Sequence, residues 1–211
     1  MKRSDYCLYF ATDSGMLKGR DLCDIIAEAI AGGVTMVQLR EKALSSRCFF
    51  ELGEQVRNIT ATYRVPLIIN DRIDLMLALG ADGVHIGKDD LPLPAARQIA
   101  GDGIVGYSVD TLEDLRYAEE SGADYVGIGP VYATSTKTDA GAVLGVDGLR
   151  QIVAQARVPC VAIGGIKVEN CAEVAGTGVS GVCVISTLMN AVDTEKTASV
   201  MRQRLQTAGL P

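Results

Sequence analysis

Short apolar segments alternate with polar turns and amphipathic segments along this chain. Eight apolar segments have the length and composition of β-strands: CLYFAT (7–12), TMVQL (35–39), PLIIN (66–70), GVHI (83–86), IVGY (104–107), YVGI (125–128), PCVAIG (159–164) and GVCVI (181–185). Amphipathic segments such as LEDLRYAEESG (112–122) and DGLRQIVAQAR (147–157) follow them and predict helices. Near-continuous apolar strands that alternate with helices indicate a parallel sheet buried on both faces.

An internal repeat has the same alternation. GADGVHIG begins at residue 80 and GADYVGIG at residue 122, which is 42 residues later, and GDGIVGYS (101–108) lies halfway between them. A period of about 21 residues is the length of one strand, one helix and two short loops. We expect the leading glycine of each repeat to end a helix in the left-handed conformation.

Eight strand–helix units predict an α/β fold, a (β/α)8 TIM barrel that residues 1–211 form as a single domain. The alternative is an open doubly wound sheet, which usually has fewer units and a G-x-G-x-x-G motif after its first strand. No such motif follows residues 7–12, so the pattern favours the barrel.

Composition and charge narrow the functional class. The 211 residues are 48% hydrophobic and carry a net charge of −6, which argues against a surface built to bind nucleic acid. The uncharged stretch 174–192 is interrupted by glycine, serine and threonine, so it predicts a strand and a helix rather than a membrane span. The six cysteines contain no C-x-x-C pair, which predicts reduced, buried thiols in a cytoplasmic protein.

Cationic residues follow the second predicted strand. In a parallel barrel the carboxyl ends of all strands meet at one face, where the chemistry is found. Arg40 and Lys42 alternate there, so both side chains can point the same way and bind an anion such as phosphate. The alternative is surface charge that pairs with Glu41 or Asp71.

Two carboxylates follow neighbouring strands. Asp71 comes after the third predicted strand and Asp90 after the fourth. Carboxylates without a nearby histidine or cysteine cluster suit a hard cation such as Mg²⁺, which keeps waters and bridges phosphate oxygens. Alternatively, Asp71 caps the helix that follows it.

Glycines and hydroxyl side chains follow the later strands. Gly164 and Gly165 end the seventh predicted strand, and Ser186 and Thr187 follow the eighth, which matches the phosphate site that many barrels build there. A glycine pair also commonly ends a strand with no ligand. The loop segment 134–137 (TSTK) suits a second anion or is an ordinary solvated loop.

The single histidine, His85, lies inside the fourth predicted strand. A satisfied interior histidine is a better interpretation than a general base, and no Ser-His-Asp or Cys-His arrangement is evident. The candidate site therefore positions anions and has few groups for acid–base work.

Several of these segments together closely resemble the thiamine-phosphate synthase family. The resemblance rests on VQLREK (37–42), INDRIDL (69–75), GADGVHIGKDDL (80–91), GYS (106–108), GADYVGIGPVYATSTK (122–137) and AIGGI (162–166), and it covers the chain nearly end to end. It implies a Mg²⁺-assisted transferase. Such an enzyme joins 4-amino-2-methyl-5-hydroxymethylpyrimidine pyrophosphate to hydroxyethylthiazole phosphate, with dissociative loss of pyrophosphate.

The resemblance also implies site residues. The pyrimidine pyrophosphate would be bound by Gln38, Leu39, Arg40, Glu41, Lys42, Asn70, Ser108 and Lys137, of which Arg40, Lys42, Ser108 and Lys137 would be catalytic. Asp71 and Asp90 would hold Mg²⁺. The thiazole phosphate would be bound by Thr134, Ser135, Thr136, Gly165, Ile185 and Ser186. One departure is Ala133, where the family usually has proline.

Two other functions stay open at this stage. A thiazole tautomerase is a paralogue on the same barrel, but it typically depends on a histidine at the barrel mouth, whereas His85 is interior to its strand. A non-catalytic sensor of phosphorylated ligands would share the fold. In all three cases the partners are small phosphorylated molecules, with no nucleic acid and no membrane. An apolar helix face packs either within the barrel or against another subunit, so a homo-oligomer is also left open.

Overall fold

Eight parallel strands close into a barrel. The computed structural model describes residues 3–134, 136 and 142–211. The strands are β1 (Leu8–Ala11), β2 (Met36–Leu39), β3 (Leu67–Asn70), β4 (Gly83–Ile86), β5 (Ile104–Val109), β6 (Tyr125–Ile128), β7 (Cys160–Ile163) and β8 (Gly181–Val184). Each pairs in parallel with the next, and β8 returns to β1 through the register Phe10↔Val184. This confirms the predicted TIM barrel.

Helices surround the strands. Within the described residues they are α1 (Leu22–Ala31), α2 (Ser46–Tyr63), α3 (Ile73–Leu79), α4 (Leu93–Ala100), α5 (Leu112–Glu120), α6 (Gly145–Val153), α7 (Cys171–Ala175), α8 (Ser186–Met189) and α9 (Thr194–Thr207). Short 3-10 turns at Arg3–Tyr6 and Ser14–Met16 flank β1. The stretch 174–192 contains β8 and α8, as the sequence predicted, and no described helix is long and apolar enough to cross a membrane.

Side chains of each strand alternate between two apolar layers. In β1, Leu8 and Phe10 pack outward against the helices, whereas Tyr9 and Ala11 point into the barrel. The inner layer is completed by Tyr6, Met36, Ile68, Tyr125, Val161 and Cys183. The interior is therefore filled by side chains, and the space for a ligand lies above this layer.

The structure explains two residues of the internal repeat, the leading glycine and the aspartate two residues after it. Gly80 and Gly122 have φ of +57° and +87°, in the left-handed region that favours glycine. The aspartate two residues later then bonds to an earlier strand. Asp82 accepts from the N–H of Leu67 at 2.8 Å, and Asp124 accepts from the N–H of Val105 at 2.8 Å. Each repeat thus ties the start of one strand to the start of the strand before it.

The cysteines are all free, as predicted, but they are not all buried. Cys7, Cys160, Cys171 and Cys183 are buried, whereas Cys23 is half-buried and Cys48 is exposed. Cys48 lies on the first turn of α2, a helix whose outer face points to solvent.

Candidate functional site

A cavity of about 310 Å³ opens at the carboxyl ends of the strands. Twelve of the predicted site residues line it: Gln38, Arg40, Lys42, Asn70, Asp71, Asp90, Ser108, Thr134, Thr136, Gly165, Ile185 and Ser186. They come from six of the strand ends and from the loop after β6. The barrel therefore brings distant parts of the sequence to one place.

The other four predicted residues do not join this lining. Leu39 is fully buried in the outer apolar layer, because its neighbours Gln38 and Arg40 take the inward positions of β2. Glu41 accepts a hydrogen bond from Ser14 Oγ at 2.6 Å. Ser135 and Lys137 lie outside the described residues.

The two predicted cations that follow β2 have carboxylate partners. Arg40 Nη1 lies 3.0 Å from Asp13 Oδ2, and only 15% of the Arg40 side chain is exposed. Lys42 Nζ lies 2.6 Å from Asp71 Oδ2. The pairing with Asp71 agrees with the alternative interpretation of Lys42, while the partner of Arg40 is Asp13 rather than Glu41. Since both cations also line the cavity, an incoming anion would compete for them with these carboxylates.

Asp71 does not cap a helix. Helix α3 begins at Ile73 with Arg72 as its N-cap, and the N-cap side chain makes no capping hydrogen bond. Asp71 instead has a left-handed backbone with φ of +60°, and its N–H donates to the carbonyl of His85 at 2.8 Å. This conformation holds Asp71 at the cavity, where its carboxylate faces Lys42.

The carboxyl groups of Asp71 and Asp90 lie close together. Burial raises the pKa of Asp90, and the neighbouring Asp71 raises it further, although the N–H of Gly87 opposes the shift by donating to Asp90 Oδ2 at 2.7 Å. Two ionised carboxylates held together favour a bound cation. The described residues contain no group of three or more metal-ligating side chains. Two hard oxygen donors fit Mg²⁺, which keeps several waters and uses phosphate oxygens as further ligands.

The glycine pair after β7 supports the loop after β6. Gly165 has φ of +66°, and a Cβ on it would lie 2.7 Å from Tyr132 Cβ and 2.8 Å from the Ala133 carbonyl oxygen. The N–H of Tyr132 donates to the carbonyl of Gly164 at 3.0 Å. Glycine is thus needed here for packing as well as for the cavity wall.

Ser186 and Thr187 take different roles. Ser186 lines the cavity as the first residue of the short helix α8, and the N–H groups of Leu188 and Met189 donate to the carbonyl of its N-cap, Ile185. Thr187 Oγ1 donates to the carbonyl of Ile166 at 2.7 Å. Of this hydroxyl pair, Ser186 is therefore the residue placed for an anion.

A chain of hydrogen bonds crosses the cavity floor. Gln38 Nε2 donates to Tyr9 Oη at 2.7 Å, and Tyr9 Oη lies 3.0 Å from Tyr125 Oη. Tyr125 Oη lies 3.0 Å from His85 Nδ1, and His85 Nε2 lies 3.1 Å from Ser108 Oγ. His85 is therefore a satisfied interior histidine, as predicted. The five residues of this hydrogen-bond chain come from five different strands.

The buried groups of the floor stay protonated. Burial raises the pKa of both Tyr9 and Tyr125 well above the ordinary tyrosine value. Burial also raises the pKa of the Cys183 thiol to about 12, which disfavours the nucleophilic thiolate at neutral pH. The floor thus provides hydrogen bonds and shape.

Sequence reasoning assigned no role to Tyr9, Tyr125 or Asp13. The internal repeat contains a sequence signal for these residues. At two positions, one of GADGVHIG and GADYVGIG has glycine where the other has a residue with a ring. Tyr125 takes the place of Gly83, and His85 takes the place of Gly127. A Cβ on Gly127 would lie 3.2 Å from His85 Cε1. The His85 ring therefore occupies space that Gly127 leaves on β6.

The rim of the cavity carries another cation that the sequence left unassigned. Lys88 follows β4, lines the cavity and donates to Asp110 and, at 2.7 Å, to Asp114. Its charge is therefore shared with carboxylates of the segment that leads from β5 into α5.

Comparison with known proteins gives this site a family. The model of the family described as thiamine monophosphate synthase matches residues 8–188. The chain is 47% identical over 204 residues to a thiamine-phosphate synthase of Syntrophomonas wolfei, which covers 96% of this chain and 98% of the relative. It is 50% identical over 202 residues to the thiamine-phosphate synthase of Clostridium acetobutylicum, which covers 95% of each.

A solved structure agrees with these sequences. Thiamine phosphate pyrophosphorylase from Pyrococcus furiosus superposes with a TM-score of 0.92 at 39% identity, over 98% of both chains. A 3-hexulose-6-phosphate synthase, at 18% identity and a TM-score of 0.66, shares the fold alone. Sequence, fold and cavity together show that this chain belongs to the thiamine monophosphate synthase family.

Proposed function

We propose that this protein is a thiamine-phosphate synthase, a transferase that joins an aminopyrimidine pyrophosphate to a thiazole phosphate and releases pyrophosphate. One observation carries the proposal. In a member of this family, a single cavity brings together cations, paired carboxylates and a hydrogen-bonding floor. A tautomerase would not need the pyrophosphate clamp that Arg40, Lys42 and the two aspartates provide. The free cysteines support a cytoplasmic location for the enzyme.

The pyrimidine pyrophosphate would occupy the side of the cavity formed by β2 to β5. Gln38 and Ser108 are the two ends of the hydrogen-bond chain on the cavity floor, and they would bind the pyrimidine ring together with Asn70, which lines the same cavity from β3. Arg40 and Lys42, which line the cavity, would bind the pyrophosphate, and Lys137 is proposed to join them. Any contact from Leu39 or Glu41 would use the backbone, because their side chains face away from the cavity.

Asp71 and Asp90 would hold Mg²⁺. The bound ion would supply Lewis-acid stabilisation of phosphate oxygens. Lys42, which pairs with Asp71 at 2.6 Å, would then be free to turn its ammonium group toward the pyrophosphate. Arg40 is held by Asp13 and mostly buried, so it offers a fixed guanidinium plane to a phosphate group.

The reaction needs charge stabilisation more than proton transfer. The bond between the pyrimidine methylene carbon and the pyrophosphate oxygen breaks, and its electron pair leaves with the pyrophosphate. The thiazole nitrogen then donates its lone pair to that carbon and forms the new C–N bond. Arg40, Lys42 and Lys137 stabilise the charge that develops on the leaving group. The apolar wall formed by Val161, Ile163 and Val184 limits the water that could capture the carbon instead.

The thiazole phosphate would lie on the opposite side of the cavity. Thr134, Thr136, Gly165, Ile185 and Ser186 line that side. Ser186 and the first amides of α8 would bind the phosphate. Ser135 is proposed to add a contact from the loop after β6.

The first experiment incubates the purified protein with both substrates, with and without Mg²⁺, and measures thiamine phosphate. We expect product only with Mg²⁺. Asp71→Asn and Asp90→Asn should each lower turnover at least about a hundredfold, since each removes a charged ligand of the ion. Asp102→Asn makes the same change on an exposed turn before β5 and should leave turnover unchanged.

Other outcomes separate the alternatives. Folded protein that binds thiazole phosphate but forms no product would contradict the synthase. Isomerisation of the thiazole would then favour the tautomerase, and binding without any turnover would favour the sensor.

A further inference from the structure

The hydrogen-bond chain on the cavity floor has a direction. The amide nitrogen Nε2 of Gln38 only donates, so Tyr9 Oη accepts from it. If Tyr9 then donates to Tyr125 and Tyr125 donates to His85 Nδ1, every hydroxyl proton in the chain has an acceptor. The opposite order between the two tyrosines leaves the Tyr9 proton without an acceptor in the chain, although Tyr9 is only 1% exposed.

This direction determines what the chain presents at its two ends. His85 accepts at Nδ1, so the neutral ring carries its proton on Nε2 and donates to Ser108 Oγ. The proton of Ser108 is then available to the cavity. At the other end the chain uses one N–H of Gln38 Nε2, so Oε1 is the acceptor of this amide and its second N–H is a donor.

The backbone around the chain is shaped for these rings. Gly106 on β5 lies in register with His85 on β4 and with Tyr125 on β6. A Cβ at Gly106 would collide with the ring of Tyr125 and with His85 Nδ1. The contact between the two rings therefore requires glycine at the strand position between them.

We propose that Tyr9, Tyr125 and His85 form a one-directional hydrogen-bond chain that makes Ser108 a donor and Gln38 an acceptor toward the substrate ring. Tyr125 and His85 are positioning residues, since they act through Ser108. The inference rests on the proposed function and deepens it.

The direction of the chain can be read without activity. His85 is the only histidine, so ¹⁵N-histidine labelling of the full chain gives one imidazole spin system. We expect two-bond ¹H–¹⁵N spectra to show a neutral ring with the proton on Nε2. In Tyr125→Phe the Nδ1 resonance should move, because that nitrogen loses its donor. A proton on Nδ1 in the unmodified protein would reverse the chain and overturn the proposal, whether or not the protein makes thiamine phosphate.

Steady-state kinetics test whether Tyr125 affects catalysis through Ser108. Tyr125→Phe should lower kcat/KM for the pyrimidine pyrophosphate about tenfold, as expected for one buried hydrogen bond, and leave KM for the thiazole phosphate unchanged. In a Ser108→Ala background the same substitution should cost less than about twofold. Equal losses in both backgrounds would show a merely structural role and contradict the proposal.

Tyr6→Phe is the matched control. The ring of Tyr6 packs against Tyr125 with centroids 5.3 Å apart, in the same inner layer, but its hydroxyl is outside the five-residue chain. We expect the His85 resonances and both kinetic constants to stay as in the unmodified protein. Changes equal to those of Tyr125→Phe would mean that the spectra report packing of the layer, which would also contradict the proposal.

Discussion

Gly106 has no side chain at the point where His85 and Tyr125 meet. The two rings come from the strands on either side, and their nitrogen and oxygen atoms lie 3.0 Å apart. Ring atoms in a packed interior cannot move aside as a flexible side chain would. A single methyl group here therefore affects both the packing and the polar chain.

We expect Gly106→Ala to lower the free energy of unfolding by about 1–3 kcal/mol, the usual cost of overpacking. It should also lower kcat/KM for the pyrimidine pyrophosphate, since the chain to Ser108 is displaced. Urea unfolding and steady-state kinetics measure the two effects. Gly148→Ala, within α6, is the control and should be neutral or stabilising by up to about 1 kcal/mol. If Gly106→Ala had the same free energy of unfolding as Gly148→Ala, this account would be contradicted.

The direction of a site side chain was predictable from the sequence where the alternation of side chains along a strand determines it. Arg40 and Lys42 follow β2 at two-residue spacing, so their common direction is visible in the sequence. The roles of Tyr9 and Tyr125 were not, because an aromatic residue in an apolar strand has the same pattern whether its hydroxyl bonds across the barrel or not. Only closure brings Tyr9 of β1 within hydrogen-bond distance of Tyr125 of β6.

At the scale of one element, the first turn of α5 both caps the helix and binds Lys88 at the cavity rim. Thr111 caps α5 by accepting from the N–H of Asp114, and the Asp114 carboxylate accepts in return from Thr111. The same carboxylate accepts from Lys88 at 2.7 Å. Burial alone would raise the pKa of Asp114, but the hydrogen bonds from Asp110, Lys88 and Thr111 hold it well below the ordinary value.

Asp114→Ala should therefore destabilise the protein in a pH-dependent way. A lowered pKa in the folded state means that the ionised carboxylate stabilises the fold above the ordinary aspartate pKa, and that this contribution disappears as pH falls through the lowered value. We expect a loss of about 1–2 kcal/mol at pH 7, typical of a capping interaction, and a smaller loss in acid. Urea unfolding across pH measures it. Glu113→Ala, at an exposed neighbouring position, should show little loss, and a pH-independent loss for Asp114→Ala would contradict the assignment.

Strand positions were predictable to within one residue at nearly every strand end, because strand composition and leading glycines mark them. The exception is β5, which runs to Val109 rather than ending at Tyr107. Ser108 directly follows the predicted strand 104–107, so the sequence placed it just outside the strand. In the structure its backbone pairs with Gly127 of β6, which gives Ser108 a fixed direction toward His85.

At the scale of the whole molecule, the barrel depends on the pairing of its first and last strands. Near the start of this pairing, a Cβ on Gly181 would collide with the carbonyl of Tyr6, because the two backbones are in close contact. The repeat predicted eight units and hence a barrel, but the register of closure depends on contacts between residues about 170 positions apart, which no local pattern encodes.

Gly181→Ala should therefore act on closure, and through closure on the site. The added methyl group meets backbone rather than a movable side chain, so we expect a loss above about 3 kcal/mol or an insoluble product. Urea unfolding gives the free energy, and in folded protein the His85 resonances report whether the floor is intact. Gly176→Ala, on an exposed residue with φ of −64° five positions earlier, should be near neutral. A Gly181→Ala protein as stable as this control would show that the close approach of β1 and β8 does not limit the barrel.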